Sequence, residues 1–348
     1  MKTDDSEIRL ALAGAGLVGR QHADAIARVA GVRLVAVADP MGETWARERG
    51  LAWYGDVDAL IAAERPDGLI AATPNHTHVE TGMAAVAAGI PALIEKPVAD
   101  TVAEAARLVE AGRAAGGPLL AGHHGRYKPL IRAAKARIEA GEIGRAVTAQ
   151  ATCWLYKPDD YFDVPWRTQP GAGPVFINLI HDVDLMRHLV GEVEAVQAST
   201  RNALRGHAVE DTAAAILHFA NGALGTVSVS DTVVSPWSWE LTAAENPAYP
   251  VTDQSCYLIG GTHGALSLPG GTGWTQDEPR GWWEPIRAAR PGLRRADPLE
   301  GQIAHFARVI AGVEEPLVSA EEGLRSLAVI EAIGRSARSG RVEAVSVE

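Results

Sequence analysis

Three groups of residues in this 348-residue sequence could do chemistry. The first is Gly14-Ala15-Gly16-Leu17-Val18-Gly19, which fits G-x-G-x-x-G, with Asp39 twenty residues after Gly19. In such a turn the first glycine bends the chain and the second lets backbone approach a pyrophosphate. The third packs helix against strand. The free N–H groups of the helix that opens there favour an anion. Gly14, Gly16, Leu17, Val18 and Gly19 are therefore expected to cradle a dinucleotide. Asp39 is expected to hydrogen-bond the adenosine ribose and repel a 2′-phosphate, which selects NAD over NADP. Pro40, Met41 and Gly42 supply no cation, and Arg47 is the nearby residue that could receive a 2′-phosphate.

The second group lies on a helix expected over 175–190. At about 100° per residue, Val175, Leu179, Val183, Met186 and Val190 form one apolar stripe. Asn178, His181 and Asp182 fall together on the adjacent face, as a pocket wall would. A histidine, with an ordinary pKa of about 6.5, suits proton transfer at neutral pH. The third group is aromatic. Seven of the nine tryptophans follow residue 150, and Trp154, Tyr156 and Trp166-Arg167 stand between the second half's first strand and this helix. Aromatic faces suit the C–H faces of sugar or cyclohexane rings. Asp159, Asp160 and Asp163 nearby read as an exposed acidic loop. The pairs His76/His78 and His123/His124 lack the spacing of H-E-x-x-H, and no Cys/His set completes a tetrahedral site, so no metal is expected. No G-x-S-x-G suggests a hydrolase.

The elements that must position these groups change character along the chain. Apolar runs at 8–15, 32–38, 68–73 and 92–95 alternate with helical segments, the clearest spanning 76–88. This is the pattern of a doubly wound parallel sheet. Thr101 to Glu104 has capping-box spacing and opens a helix that stops at Gly116-Gly117. From 146 onward strands follow one another, at 146–155, 195–200, 212–219 and 225–231, so a large mixed or antiparallel sheet is expected. The stretch 268–298 reads as a long loop. Helices are expected from Asp297-Pro298 and over 320–337, with a final strand within 341–347.

The bulk numbers agree with two soluble domains. Hydrophobic residues make up 47% and charged residues 22%, and the net charge of -11 lacks the basic footprint of a nucleic-acid binder. The polar segment Met1 to Glu7 shows no signal-peptide core, and no apolar run reaches membrane-spanning length, so a membrane partner is not expected. Two cysteines, Cys153 and Cys256, fit a reducing cytoplasm.

Three further stretches bring a family into view: Ala72-Thr73-Pro74-Asn75-His76-Thr77-His78, Glu95-Lys96-Pro97 and His181-Asp182-Val183-Asp184. With the glycine motif, they make the chain resemble the Gfo/Idh/MocA oxidoreductases over nearly its whole length. The resemblance implies an N-terminal Rossmann domain over 1–124 and an α+β domain over 125–348, for substrate binding and oligomerisation. The C-terminal helices would pack back on the first domain, and the nicotinamide would point into the interdomain cleft. Thr73 and Pro74, with Asn75, His78 and Glu95, would line the cofactor. Lys96 would reach the substrate oxygen and also lie against the cofactor. His181 would act as acid/base. Arg126-Tyr127-Lys128-Pro129 resembles the interdomain stretch, which adds Tyr127 and the preceding His124 to the substrate contacts.

A charged Lys96 would stabilise a developing alkoxide, leaving the proton to His181. The implied activity is NAD-dependent hydride exchange at a ring carbon bearing a secondary hydroxyl in a sugar, inositol or related polyol, by a homodimer or homotetramer. One departure stands out. Many members carry Asp four residues before this histidine, where the chain has Ile177, with Asn178 next to it. That keeps open a cyclic dihydrodiol or hydroxy-acid substrate. The same fold also serves an NAD-responsive regulator without catalysis, against which the retention of both Lys96 and His181 speaks.

Overall fold

The computed structural model describes residues 7–246, 248–292 and 296–347. The opening residues Met1 to Ser6, and 293–295 within the expected long loop, lie outside the described residues. The chain divides into two compact units. The first comprises described residues of 1–127, 297–327 and 347, the second those of 128–296 and 328–346.

In the first unit, β1 (Ile8–Ala13), α1 (Leu17–Ile26), β2 (Val32–Ala38), α2 (Glu43–Glu48), β3 (Ala52–Tyr54), α3 (Val57–Glu64), β4 (Gly68–Ala71), α4 (His78–Ala88), β5 (Ala92–Ile94), α5 (Val102–Ala115) and β6 (Leu119–Ala121) follow in turn. The strands form a parallel sheet in the order β3-β2-β1-β4-β5-β6, the doubly wound arrangement. Its strands are apolar on both faces because helices cover both. Leu10, Leu12, Ile70 and Leu93 are entirely buried. Asp56 caps α3, and Thr101 caps α5 by accepting the Glu104 N–H at 3.3 Å. The segment 43–64, with its three-residue β3, is too short-patterned for periodicity to register.

The second unit begins with α6 (Pro129–Glu139) and β7 (Ala146–Trp154). Then come α7 (Ile180–Val190), β8 (Val193–Arg201), β9 (Thr212–Phe219), β10 (Leu224–Ser230), α8 (Trp239–Thr242), β11 (Tyr257–Gly261), β12 (Gly264–Leu268), β13 (Thr272–Thr275) and β14 (Arg287–Ala289). With β15 (Glu343–Ala344) these strands make a mixed sheet, ordered β14-β13-β12-β11-β7-β10-β9-β8-β15. Among the described residues of this sheet only β7 and β10 pair in parallel; the other pairs are antiparallel. The expected loop over 268–298 is corrected here. It contains β13 and β14, which at four and three residues are too short to show a period of two.

Of the last two helices, α9 (Pro298–Ile310) is capped by Asp297 and buries Ile303, Phe306 and Val309 in the first unit's core with Leu10 and Leu12. A Cβ on Gly68 would meet Ile310 at 2.6 Å, so glycine there lets this helix approach the sheet. Helix α10 (Ala320–Ser339) divides between the units at 327/328. Among the described residues no helix is long and apolar enough to cross a membrane.

Candidate active site

The first unit collects its chemistry at the carboxyl ends of its strands, where doubly wound sheets bind ligands. Gly14 follows β1, Asp39 follows β2, Thr73 follows β4, Glu95 follows β5 and His124 comes soon after β6. Gly14 sits at φ +94°, and a Cβ on it would lie 2.4 Å from the Ala72 carbonyl oxygen. A Cβ on Gly19 would lie 2.0 Å from the Gly14 carbonyl oxygen. These two glycines are required by the fold itself. Gly16 differs, because a Cβ there would meet nothing within 4 Å among the described residues. It is the N-cap of α1, which receives no side-chain cap among the described residues, and Leu17 and Val18 beside it are exposed. Open space and free N–H groups at a helix start fit a phosphate-bearing ligand. The Thr73 Oγ1 is buried with no partner among the described residues.

Asp39 faces this loop. Its Oδ2 accepts the Ala15 N–H at 2.6 Å and its Oδ1 the Met41 N–H at 2.7 Å. Each oxygen keeps a second lone pair for a ribose hydroxyl. Arg47 is held by Glu43 at 2.6 Å. Pro74 is exposed and Asn75 half-buried, opening a short 3-10 turn before α4.

Glu95 is buried, and its Oε1 pairs with His22 Nε2 at 2.7 Å. Its Oε2 accepts the Lys96 N–H at 3.1 Å. Burial raises its pKa, but the His22 hydrogen bond and the nearby charges of His22, His124 and Lys96 outweigh this and bring it down to about 2. Lys96 itself is half-buried, beside this fixed negative charge, and the Lys96–Pro97 peptide is cis.

In the second unit the helix bearing His181 is not uniform. Residues Val175–Leu179 form a π-helix, and the α-helix begins at Ile180. The apolar stripe at 175, 179, 183, 186 and 190 is buried as expected. The wider winding changes the phase ahead of His181, so one helical wheel does not relate Asn178 to it. Such π segments concentrate at functional sites. Asn178 Oδ1 is buried with no partner among the described residues, and His181 is half-buried. Glu210 Oε1 accepts the Val175 N–H at 2.9 Å and fixes the start of this segment. A Cβ on Gly173 would collide with that carboxylate.

Three of the expected contact residues are buried with partners of their own. Asp182 is buried, with Tyr257 donating to its Oδ1, so its partner belongs to the sheet. Burial raises its pKa to about 7, helped by Glu240 and opposed by the Tyr257 hydrogen bond. Tyr127 is buried in the first unit against the His305 ring, 5.4 Å between centroids. His78 is buried with both ring nitrogens against backbone carbonyls, of Pro97 and Thr73.

The aromatic group is spread out. Trp154 is half-buried, donates to Ser228 and meets Trp237 edge-on. Tyr156 and Trp166 are exposed. Arg167 donates to the Tyr161 carbonyl at 2.7 Å and lies over its ring. Two residues were missed. His22 left a signal, a histidine on the inward stripe Gly19, His22, Ala23, Ile26 of α1. Glu210 left none, since only the fold brings it to Val175.

Residues 8–123 match the model of an oxidoreductase family with an NAD-binding Rossmann fold, and residues 131–267 match a GFO/IDH/MocA C-terminal domain. D-apiose dehydrogenase of Paraburkholderia graminis is 28% identical over 97% of this chain and 90% of its own length. The scyllo-inositol 2-dehydrogenase (NAD(+)) of Bacillus subtilis is 30% identical over 69% of this chain and 71% of its own. The WlbA dehydrogenase of Bordetella pertussis, solved in complex with NADH and UDP-GlcNAcA, superposes with a TM-score of 0.79 at 27% identity, covering 98% of this chain and 100% of that one.

Proposed function

The chain belongs to the Gfo/Idh/MocA family of NAD-binding oxidoreductases, and from that premise we propose how it works as an NAD-dependent dehydrogenase of ring carbons bearing a secondary hydroxyl. The substrate class is a sugar, an inositol or a related cyclic polyol. The observation that carries this reading is the convergence of the open Gly16 turn, Asp39, Thr73, Glu95 and Lys96 at the carboxyl ends of one parallel sheet. The relatives named for D-apiose and scyllo-inositol support the substrate class.

Gly14 to Gly19 and Asp39 would hold NAD, which would supply the hydride acceptor. Lys96 donates a hydrogen bond to the substrate oxygen and stabilises the alkoxide as the C–H bond breaks. His181 accepts the hydroxyl proton on its imidazole. Asn178 offers its unpartnered Oδ1 to a neighbouring hydroxyl, where an Asp would also have taken a proton. Half-buried Trp154 gives a ring face to the substrate, with Tyr156, Trp166 and Arg167 nearer the surface. Glu95 remains ionised and holds the backbone of Lys96. The enzyme works as a homo-oligomer in the cytoplasm. Trp282, Trp283 and Ile286 support association, being 90%, 87% and 65% exposed.

The test is nicotinamide reduction with NAD and NADP separately, over a panel of inositols, pentoses, pyranoses and cyclic dihydrodiols. NAD-linked turnover on a polyol or sugar is expected. Turnover restricted to dihydrodiols would replace the substrate class. Dinucleotide binding with no turnover on any ring would favour the regulator.

A further inference from the structure

His78 opens α4, yet its side chain turns inward. Nδ1 lies 2.7 Å from the Pro97 carbonyl oxygen and Nε2 lies 2.8 Å from the Thr73 carbonyl oxygen. The ring therefore spans two segments: the turn after β4 and the turn after β5. Lys96 sits immediately before Pro97. On its other side, Glu95 is held by the buried imidazole of His22. The residue proposed to polarise the substrate thus stands between two neighbours, each fixed by a buried histidine.

We infer that His78 is a positioning residue that fixes the distance between the Thr73 side of the cofactor site and the Lys96 turn. This rests on the reading of Lys96 given above. A nearer role is excluded by geometry, since the ring is 1% exposed and both its nitrogens are on backbone oxygens. A purely space-filling role would need neither contact, and an apolar ring would suffice. Carbonyl oxygens only accept, and burial lowers the His78 pKa, so the neutral imidazole donates to one carbonyl and packs against the other. One hydrogen bond and one packing contact of the same ring join segments that no strand pairing connects at this point, because β4 and β5 end at Ala71 and Ile94. Hydride transfer is steep in donor–acceptor distance, so a loosened turn acts on the chemical step ahead of binding.

The test compares wild type, His78→Gln and His78→Phe, the second filling the space without a donor. Amide hydrogen exchange over 72–78 and 95–98 is followed in the protein alone. NADH affinity is followed by fluorescence, and turnover by the fastest substrate of the panel carrying deuterium at the reacting carbon.

For His78→Phe, faster exchange in both segments is expected, with kcat at least tenfold lower, a larger isotope effect, and KM and NADH affinity within about threefold. His78→Gln, which keeps an N–H donor but on a flexible chain without the rigid ring, should fall between. The inference is overturned if exchange is unchanged. It is also overturned if kcat, KM and NADH affinity fall together with an unchanged isotope effect, since that marks general loosening. Lys96→Met is run alongside. If it retains turnover, the reading of Lys96 fails; if it is inactive while both His78 variants behave as wild type, only this inference fails.

Discussion

Glu95 and Asp182 are both buried carboxylates next to a residue proposed for catalysis, and they respond to burial in opposite ways. Glu95 faces His22, His124 and Lys96 and is held down to about 2. Asp182 faces Glu240 and a phenol, and rises to about 7. Burial alone would raise both, so the neighbours decide the sign. The first unit keeps a permanent negative charge under its lysine. The second keeps a carboxyl group close to neutrality under its histidine. The same residue class serves as a fixed counter-charge in one place and as a hydrogen-bond acceptor within a core in the other.

Glu95→Gln should produce the largest effect. It leaves the buried His22 imidazole without its anion, and breaking a buried pair costs about 3–5 kcal/mol. Urea denaturation at neutral pH would read this, with turnover lost alongside. The native pKa lies below the ordinary value, so the wild-type contribution is complete above about pH 4.5 and fades as pH falls towards 2. A variant as stable as wild type at pH 7 would remove the contrast.

Asp182→Asn should act in the opposite direction. The folded pKa lies above the ordinary 3.8, so the native state holds the proton longer. Wild-type stability then falls as pH rises from about 4 to 7 and is flat above. Asparagine can still accept from Tyr257, so the variant should lose that slope and gain on the order of 2 kcal/mol at pH 8. Destabilisation at every pH would show that Asp182 works as a charge.

Gly16→Ala should be the smallest and the most selective. Its Cβ enters open space, so the thermal midpoint should hold while NADH affinity falls about tenfold, or about 1.4 kcal/mol. The same change at Gly19 strikes backbone and should destabilise the fold.

These differences also explain what the sequence could reveal. Gly14, Gly19, Asp39 and the apolar strands were legible because backbone geometry near the start of a parallel sheet dictates residue type at short range. The stripe from Val175 to Val190 was legible for the same reason. The π-helical start of that segment was not, since periodicity does not distinguish one wide turn. The inward turn of the His78 ring was not legible either, because position in a motif says nothing about which way a ring turns. Asp182 and Glu210 depend on Tyr257 and Val175, which are distant in sequence. Strands β13 and β14 lay hidden in a stretch whose composition reads as loop.

The most direct test of the mechanism is single-turnover reduction of bound NAD by the fastest substrate of the panel, comparing Lys96→Met with wild type. A fall of about a thousandfold in the chemical step, with NAD affinity unchanged, is the expected result. A variant that reduces NAD at close to the wild-type rate would contradict the assignment of Lys96, and with it the proposed mechanism.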